Sequence, residues 1–225
     1  MAGSFGGSIK LTGESEYTKA LKTITSNLTV MSSEMKLVSS QFNSTDKSVQ
    51  AVTSRNQVLN KQIEEGNKKI NTYRTALADF EKQQTDNKKT IDTLKVSLEE
   101  ETRKLDAMQK STSASSSEIA EQKQKVADLS SELAKSEAQY EKNNQTINKY
   151  KTQLNLSEAE VNRLTTELGK NKSELNDNRN SYTKLTDTIQ DQKSKLSELK
   201  SQYGSVVLEQ GKNSKEAKAL ANEIK

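Results

Sequence analysis

The sequence predicts an all-α protein: a very long, near-continuous α-helix forming a left-handed coiled coil, with a short non-helical N-terminal segment. Three observations carry this expectation. The 225 residues contain no proline, where average usage of roughly 5% would supply about eleven; proline removes a backbone donor and breaks helices. Leu, Ile, Val and Phe together make only 43 residues, close to the ~20% level below which a packed globule becomes doubtful. Large apolar residues recur at alternating spacings of four and three from Tyr17 to Ile224, a period of 3.5 that predicts left-handed supercoiling.

The period can be counted. With Leu21 at heptad position a and Ile24 at d, 42 of the 49 large apolar residues between Tyr17 and Ile224 fall on a or d, and all six tyrosines are among them. The expected seam runs through Leu21, Ile24, Leu28, Met31, Met35, Val38, Phe42, Ile63, Ile70, Leu77, Ile91, Leu98 and Leu105. It continues in phase through Ile119, Val126, Leu133, Ile147, Leu154, Leu168, Leu175, Ile189 and Leu196. A single helix has no core of its own, so this seam must be buried against a second copy or against a folded-back arm.

The elements follow in order. Residues 1–13 form the flexible or extended N-terminal segment. Met1 to Ser8 is rich in Gly and Ser and reads as a tail. Ser8 to Thr12 alternates polar and apolar residues, a weak strand signal. Gly13 punctuates, and Glu14 and Glu16 suit the positive end of a helix dipole, so the helix is expected to begin between Gly13 and Ser15. Residues 14–225 form the rod. The stretch Ser111 to Ser117 lacks large apolar residues and favours caps and turns. It makes 109–118 a candidate hinge, although the heptad phase retained across it favours a continuous helix. Gly66, Gly169, Gly204 and Gly211 are further soft points, each costing roughly 1 kcal/mol against Ala.

The a column is apolar without exception from Ile119 to Tyr203, whereas the d column carries thirteen polar or glycine layers, among them Gly66, Asn87, Glu101, Gln122, Asn143, Asn171 and Asn213. Buried Asn can fix register at a cost in stability. The e and g positions balance: Glu118–Lys123 would attract across a parallel pair and Lys195–Lys200 would repel. They leave oligomer number and strand direction open.

Chemistry-bearing motifs are scarce. With no Cys and no His, a disulfide scaffold, a Cys/His metal centre and a Cys- or His-based active site are excluded. Carboxylate runs such as Glu64-Glu65 and Glu99-Glu100-Glu101 lack the pocket that acid–base catalysis requires. Gly3, Gly6 and Gly7 form no phosphate loop. The 35 basic and 31 acidic residues are spread evenly, against the clustering expected of specific nucleic-acid binding. No apolar run reaches the ~20 residues of a membrane span. The reading is therefore of a non-enzymatic protein with no catalytic residue, cofactor or metal.

One stretch is specific. Ile9-x-Leu11-x-Gly13-Glu14, then Tyr17-x-x-Ala20-Leu21 and Ser33-Glu34-Met35-Lys36, resembles the amino-terminal segment of tail tape measure proteins from long-tailed bacteriophages of Gram-positive hosts. Gln202-Tyr203-Gly204 and Gly211 to Ala217 are similar to a second stretch of that family. The resemblance implies a structural protein that sets tail length as a helical ruler inside the tail tube and is released before DNA ejection. It implies a homo-oligomer, with a trimer favoured, and the tail tube protein and tail assembly chaperones as partners. It places the protein in the virion tail lumen, and in host cytoplasm during assembly. The segment around Ile9 to Tyr17, as the one non-coil region, is expected to engage another tail protein. The chain is expected to be the amino-terminal part of a longer protein. Two alternatives remain: a cellular coiled-coil scaffold or tether, and an antiparallel helical-hairpin interaction module.

Overall fold

A computed structural model describes residues 10–43, 45–212 and 214–224. Of these residues 92% are helical and none is in a strand, so the protein is all-α. Four helices follow one another: α1 (Glu14–Gln41), α2 (Val49–Lys110), α3 (Ser116–Gln210) and α4 (Lys215–Ile224). The expected near-continuous helix is thus broken three times. The tail at Met1 to Ser8 lies outside the described residues. So do Ser8 and Ile9 of the expected strand, and Lys10 to Thr12 are not strand.

Each break has a local cause. Gly13 adopts φ +83°, a left-handed conformation that costs glycine little, and its carbonyl accepts the Tyr17 N–H at 3.2 Å; α1 starts where the sequence places it. Ser48 caps α2, its hydroxyl accepting the Ala51 N–H at 3.2 Å while Asp46 accepts the Ser48 N–H at 2.8 Å. A capping box starts α3: the Glu118 carboxylate accepts from the Ser115 N–H at 2.8 Å, and the Ser115 hydroxyl accepts the Glu118 N–H at 3.2 Å. That reciprocal pairing satisfies two otherwise orphaned donors. It outweighs the retained heptad phase, and the chain turns at Ser111–Ser115. Gly211, at φ +83°, ends α3, and Ser214 caps α4 through Ala217.

The chain divides into two compact units. The first holds residues 10–37 and 57–167. Within it α2 and α3 run antiparallel about the Ser111–Ser115 turn: Glu101 meets Gln122, Gln84 meets Asn144, Arg74 meets Glu158. The first part of α1 lies antiparallel to α2, with Tyr17 on Asp79, Asn27 on Glu65 and Glu34 on Lys61. Where the three helices meet, Leu11, Leu21, Tyr73, Leu77, Phe80, Ile147 and Tyr150 form the core. Its rings are stacked edge to face: Tyr17 on Phe80 at 5.7 Å, Phe80 on Tyr150 at 5.2 Å, Tyr150 on Tyr73 at 5.5 Å, a geometry favoured by the ring quadrupoles.

The second unit holds residues 38–56 and 168–224, Ser44 and Asn213 being outside the described residues. Lys47 anchors one end: its ammonium pairs with Glu174 at 2.9 Å and its carbonyl accepts from Asn178. At the other end α4 folds back along α3, burying Ala217 completely and bringing Glu223 to 3.9 Å from Lys195.

Candidate functional site

The heptad seam is the candidate site that the sequence offers, and the structure buries some of its residues and exposes others. In the first unit Leu21, Ile24, Ile70, Leu77, Ile91 and Ile147 are buried. Leu28, Met31, Met35, Ile63, Leu98, Leu105, Ile119, Val126, Leu133 and Leu154 are half-buried. In the second unit Leu168 is buried, Val38, Phe42 and Leu175 are half-buried, and Ile189 and Leu196 are exposed.

Several polar seam layers of the first unit are buried: Asn87, Glu101, Ser136, Asn143 and Ser157 at d and Gln84 at a. Glu101 retains 8% exposure. It accepts from Lys104 at 2.7 Å, Gln122 at 2.8 Å and Lys125 at 3.0 Å. These donors, the Lys104 ammonium foremost, hold its carboxyl down to about 2. Gln84 donates to the Tyr140 carbonyl at 3.0 Å and to Asn144 at 2.8 Å. Glu65, 5% exposed, accepts from Asn27 at 2.7 Å and Lys68 at 3.0 Å, which lower its pKa. Buried polar groups whose partners are met cost little only in the register that supplies those partners, so Glu101 and Glu65 favour this alignment, whereas Gln84 Oε1 is left without a partner.

Charge sets direction as well. Arg74–Glu158, Glu81–Lys151 and Lys95–Glu137 are ion pairs of 2.6–2.9 Å between e positions of α2 and e positions of α3. An antiparallel pair brings e against e. Reading the sequence for parallel g–e contacts alone misses this signal. The capping box at Ser115-Ser116-Ser117-Glu118 was likewise legible as S-x-x-E. The α1–α2 break at residues 42–48 carries a weaker mark, Asp46 and Ser48 just ahead of Val49.

The N-terminal segment is engaged within its own unit. Leu11 is 5% exposed, and the Thr12 N–H donates to Gln83 Oε1 at 2.8 Å. The Tyr17 hydroxyl donates to Asp79, whose carboxylate raises the phenol's pKa. Of the segment expected to engage another tail protein, Leu11, Thr12 and Tyr17 contact α2, residues 12–16 stay exposed, and Ile9 lies outside the described residues. Farther along α1 an open groove of about 310 Å³ is lined by α1, α2 and α3, through Thr25, Ser32, Gln62, Gly66, Ser157 and Val161 among others.

Among the described residues no group of three or more acidic side chains is placed to hold a metal ion, and no helix is long and apolar enough to cross a membrane. Nine large apolar residues are exposed among those described. Five of them, Val30, Leu37, Val96, Leu156 and Leu208, lie off the heptad seam. The other four, Tyr182, Leu185, Ile189 and Leu196, lie on it, consecutively along α3. Every residue from 179 to 198 is exposed: here the seam, polar only at Gln192, is left uncovered by the described residues.

Comparison with known proteins finds no matching family model, curated protein or solved structure.

Proposed function

We propose that the protein is a structural tail tape measure protein of a long-tailed bacteriophage, acting as a helical ruler in the tail lumen and without enzymatic activity. The observation that carries this reading is the Ile9-x-Leu11-x-Gly13-Glu14 and Tyr17-x-x-Ala20-Leu21 stretch leading into a seam held in heptad phase to Ile224. The helices support it: α2 and α3 run for 62 and 95 residues, and a ruler needs length that scales with residue number. In this reading the seams associate as coiled coil, with further copies of the chain joining them, while tube subunits and assembly chaperones act on the outside. The polar layers at Glu101, Gln84 and Asn143 make a rod that separates readily when the protein leaves the tube.

The test is tail length in a phage lacking Glu81 to Met108 together with Ile119 to Thr146. These matched four-heptad segments flank the Ser-rich turn, so the seam stays in phase. A tape in which both segments lie end to end shortens the tail by about 84 Å, and one that keeps the hairpin by about 42 Å, at ~1.5 Å per residue. Unchanged tails reject the ruler.

A second reading rests on the turn at Ser111–Ser115 itself. An antiparallel helical-hairpin interaction module needs that turn, and would sediment as a compact monomer in isolation.

A further inference from the structure

Within the second unit the seam of α3 is engaged on either side of its bare stretch. On the N-terminal side, Lys47 pairs with Glu174 at 2.9 Å and its carbonyl accepts from Asn178. On the C-terminal side α4 folds back, antiparallel, with Glu223 at 3.9 Å from Lys195. Both residues of that pair occupy heptad position g, and their register sets Tyr203 opposite Leu220 and Val206 opposite the fully buried Ala217. Between these two covers every residue from 179 to 198 is exposed.

The apolar stripe of the bare stretch, Tyr182, Leu185, Ile189 and Leu196, keeps to a and d. That is the narrow seam of a coiled coil; a helix that lies on a membrane shows a broader apolar face. The charges beside the seam have one sign. Arg179, Lys193, Lys195 and Lys200 stand at e and g between 179 and 200, and no acidic residue does. Asp187, Asp191 and Glu198 lie at f and c, on the outer face of the helix.

This one-sided rim discriminates between occupants. A second copy laid parallel sets Lys195 against Lys200. Laid antiparallel with Leu185 on Leu196, it sets Lys193 against its own counterpart. Like charges across a seam select against the pairing. The helix that does cover α3 next to the bare stretch has the opposite charge: both g residues of α4 are acidic, Glu216 and Glu223.

We propose that the α3 seam from Tyr182 to Leu196 is a docking site for one helix of a partner that is not a second copy of this chain, apolar at its own a and d positions and acidic at e and g. The uncovered length, 179–198, gives the docked helix about twenty residues. Gln192, the one polar layer, pairs with a polar seam residue of that helix and so fixes its register. The site rests on the geometry of α3 and stands whether or not the chain is a ruler.

The probe is a synthetic peptide of about three heptads, with Ile and Leu on the seam, one Asn to meet Gln192 and Glu at e and g. Its twin carries Lys at e and g. Labelled peptide is titrated into the full chain. The acidic peptide should bind, more weakly as salt rises, and the basic twin should not. Amides of 182–196 should exchange fast in the chain alone, since an uncovered stretch of this length is marginal as a helix, and should gain protection when the acidic peptide is added. K193E/K200E should weaken the acidic peptide about tenfold, as two attractions become repulsions, and should admit the basic one. Equal binding of the two peptides, or binding of neither, overturns the proposal. So does protection of 182–196 in the chain alone as a monomer. Self-association of the chain that Leu185→Asp abolishes overturns it in favour of a second copy. Protection of the same amides by phosphatidylglycerol vesicles, and not by the acidic peptide, overturns it in favour of a membrane surface.

Discussion

Gly66 lies so close to Val161 that a Cβ on the glycine would stand 2.6 Å from the valine Cγ2. The glycine looks like a weak point in a helix when only the sequence is considered. In the structure it is a point of close approach between α2 and α3.

Gly66→Ala should therefore destabilise the protein. Alanine's helix propensity is worth about 1 kcal/mol, but overpacking costs typically 1–3 kcal/mol, and a β-branched valine has little rotamer freedom to yield. Gly169, with nothing within 4 Å, is the control: Gly169→Ala should stabilise by about 0.5–1 kcal/mol. Chemical denaturation of the two variants checks both signs; a stabilised Gly66→Ala would show that the helices are not this close.

Glu101 makes stability depend on pH in acid. Its folded-state pKa is depressed, so its contribution is fully present above the ordinary value of 4.5 and is lost as pH falls toward about 2. Thermal unfolding midpoints should drop across that window, and the drop should be shallower in Glu101→Gln. Parallel curves for the two proteins would exclude Glu101 as a source of the acid lability.

The turn between α2 and α3 depends on its capping box. Ser115→Ala removes the acceptor of the Glu118 N–H and should cost about 1 kcal/mol. Glu118→Gln keeps a side chain able to reach back and should cost less. Denaturant midpoints at constant slope give the comparison.

In the second unit, Asn56 Oδ1 and Asn171 Nδ2 are buried without a hydrogen-bond partner. They fall opposite one another in the antiparallel pairing that Lys47 and Asn178 anchor. An unmet buried polar atom costs roughly 1–3 kcal/mol, so the double substitution Asn56→Leu/Asn171→Leu should raise stability by about 1–2 kcal/mol. A loss of stability would mean that the two amides satisfy each other.

Much of the secondary structure was legible in the residues. The 3.5-residue period marked helix throughout, Gly13 and Glu14 marked the start of α1, and the heptad phase identified Leu21, Leu77, Ile147 and Leu168 as seam before any packing was known. The Ser-rich stretch was legible as a candidate turn, but the retained phase favoured a continuous helix, and its S-x-x-E spacing was the sign that went unread. The break at 42–48 was hardly legible, because Phe42 and Val49 keep the phase of an uninterrupted helix. The candidate site, the bare seam of Tyr182 to Leu196, was invisible in principle: those residues look the same as Leu154 or Leu168, which are covered.

By itself the sequence determined that the chain is helical, which stripe of each helix is apolar, and where caps can form. These are properties of dihedral preference, hydrogen-bonding side chains and period, all settled within a few residues. Only the tertiary structure decided which seam meets which. A heptad stripe is nearly self-complementary, so the period alone does not say which helix covers which. The choice turns on close approach at Gly66, ion pairs such as Lys95–Glu137 and the aromatic contacts of Tyr17 and Phe80, contacts between residues tens of positions apart that no local pattern encodes.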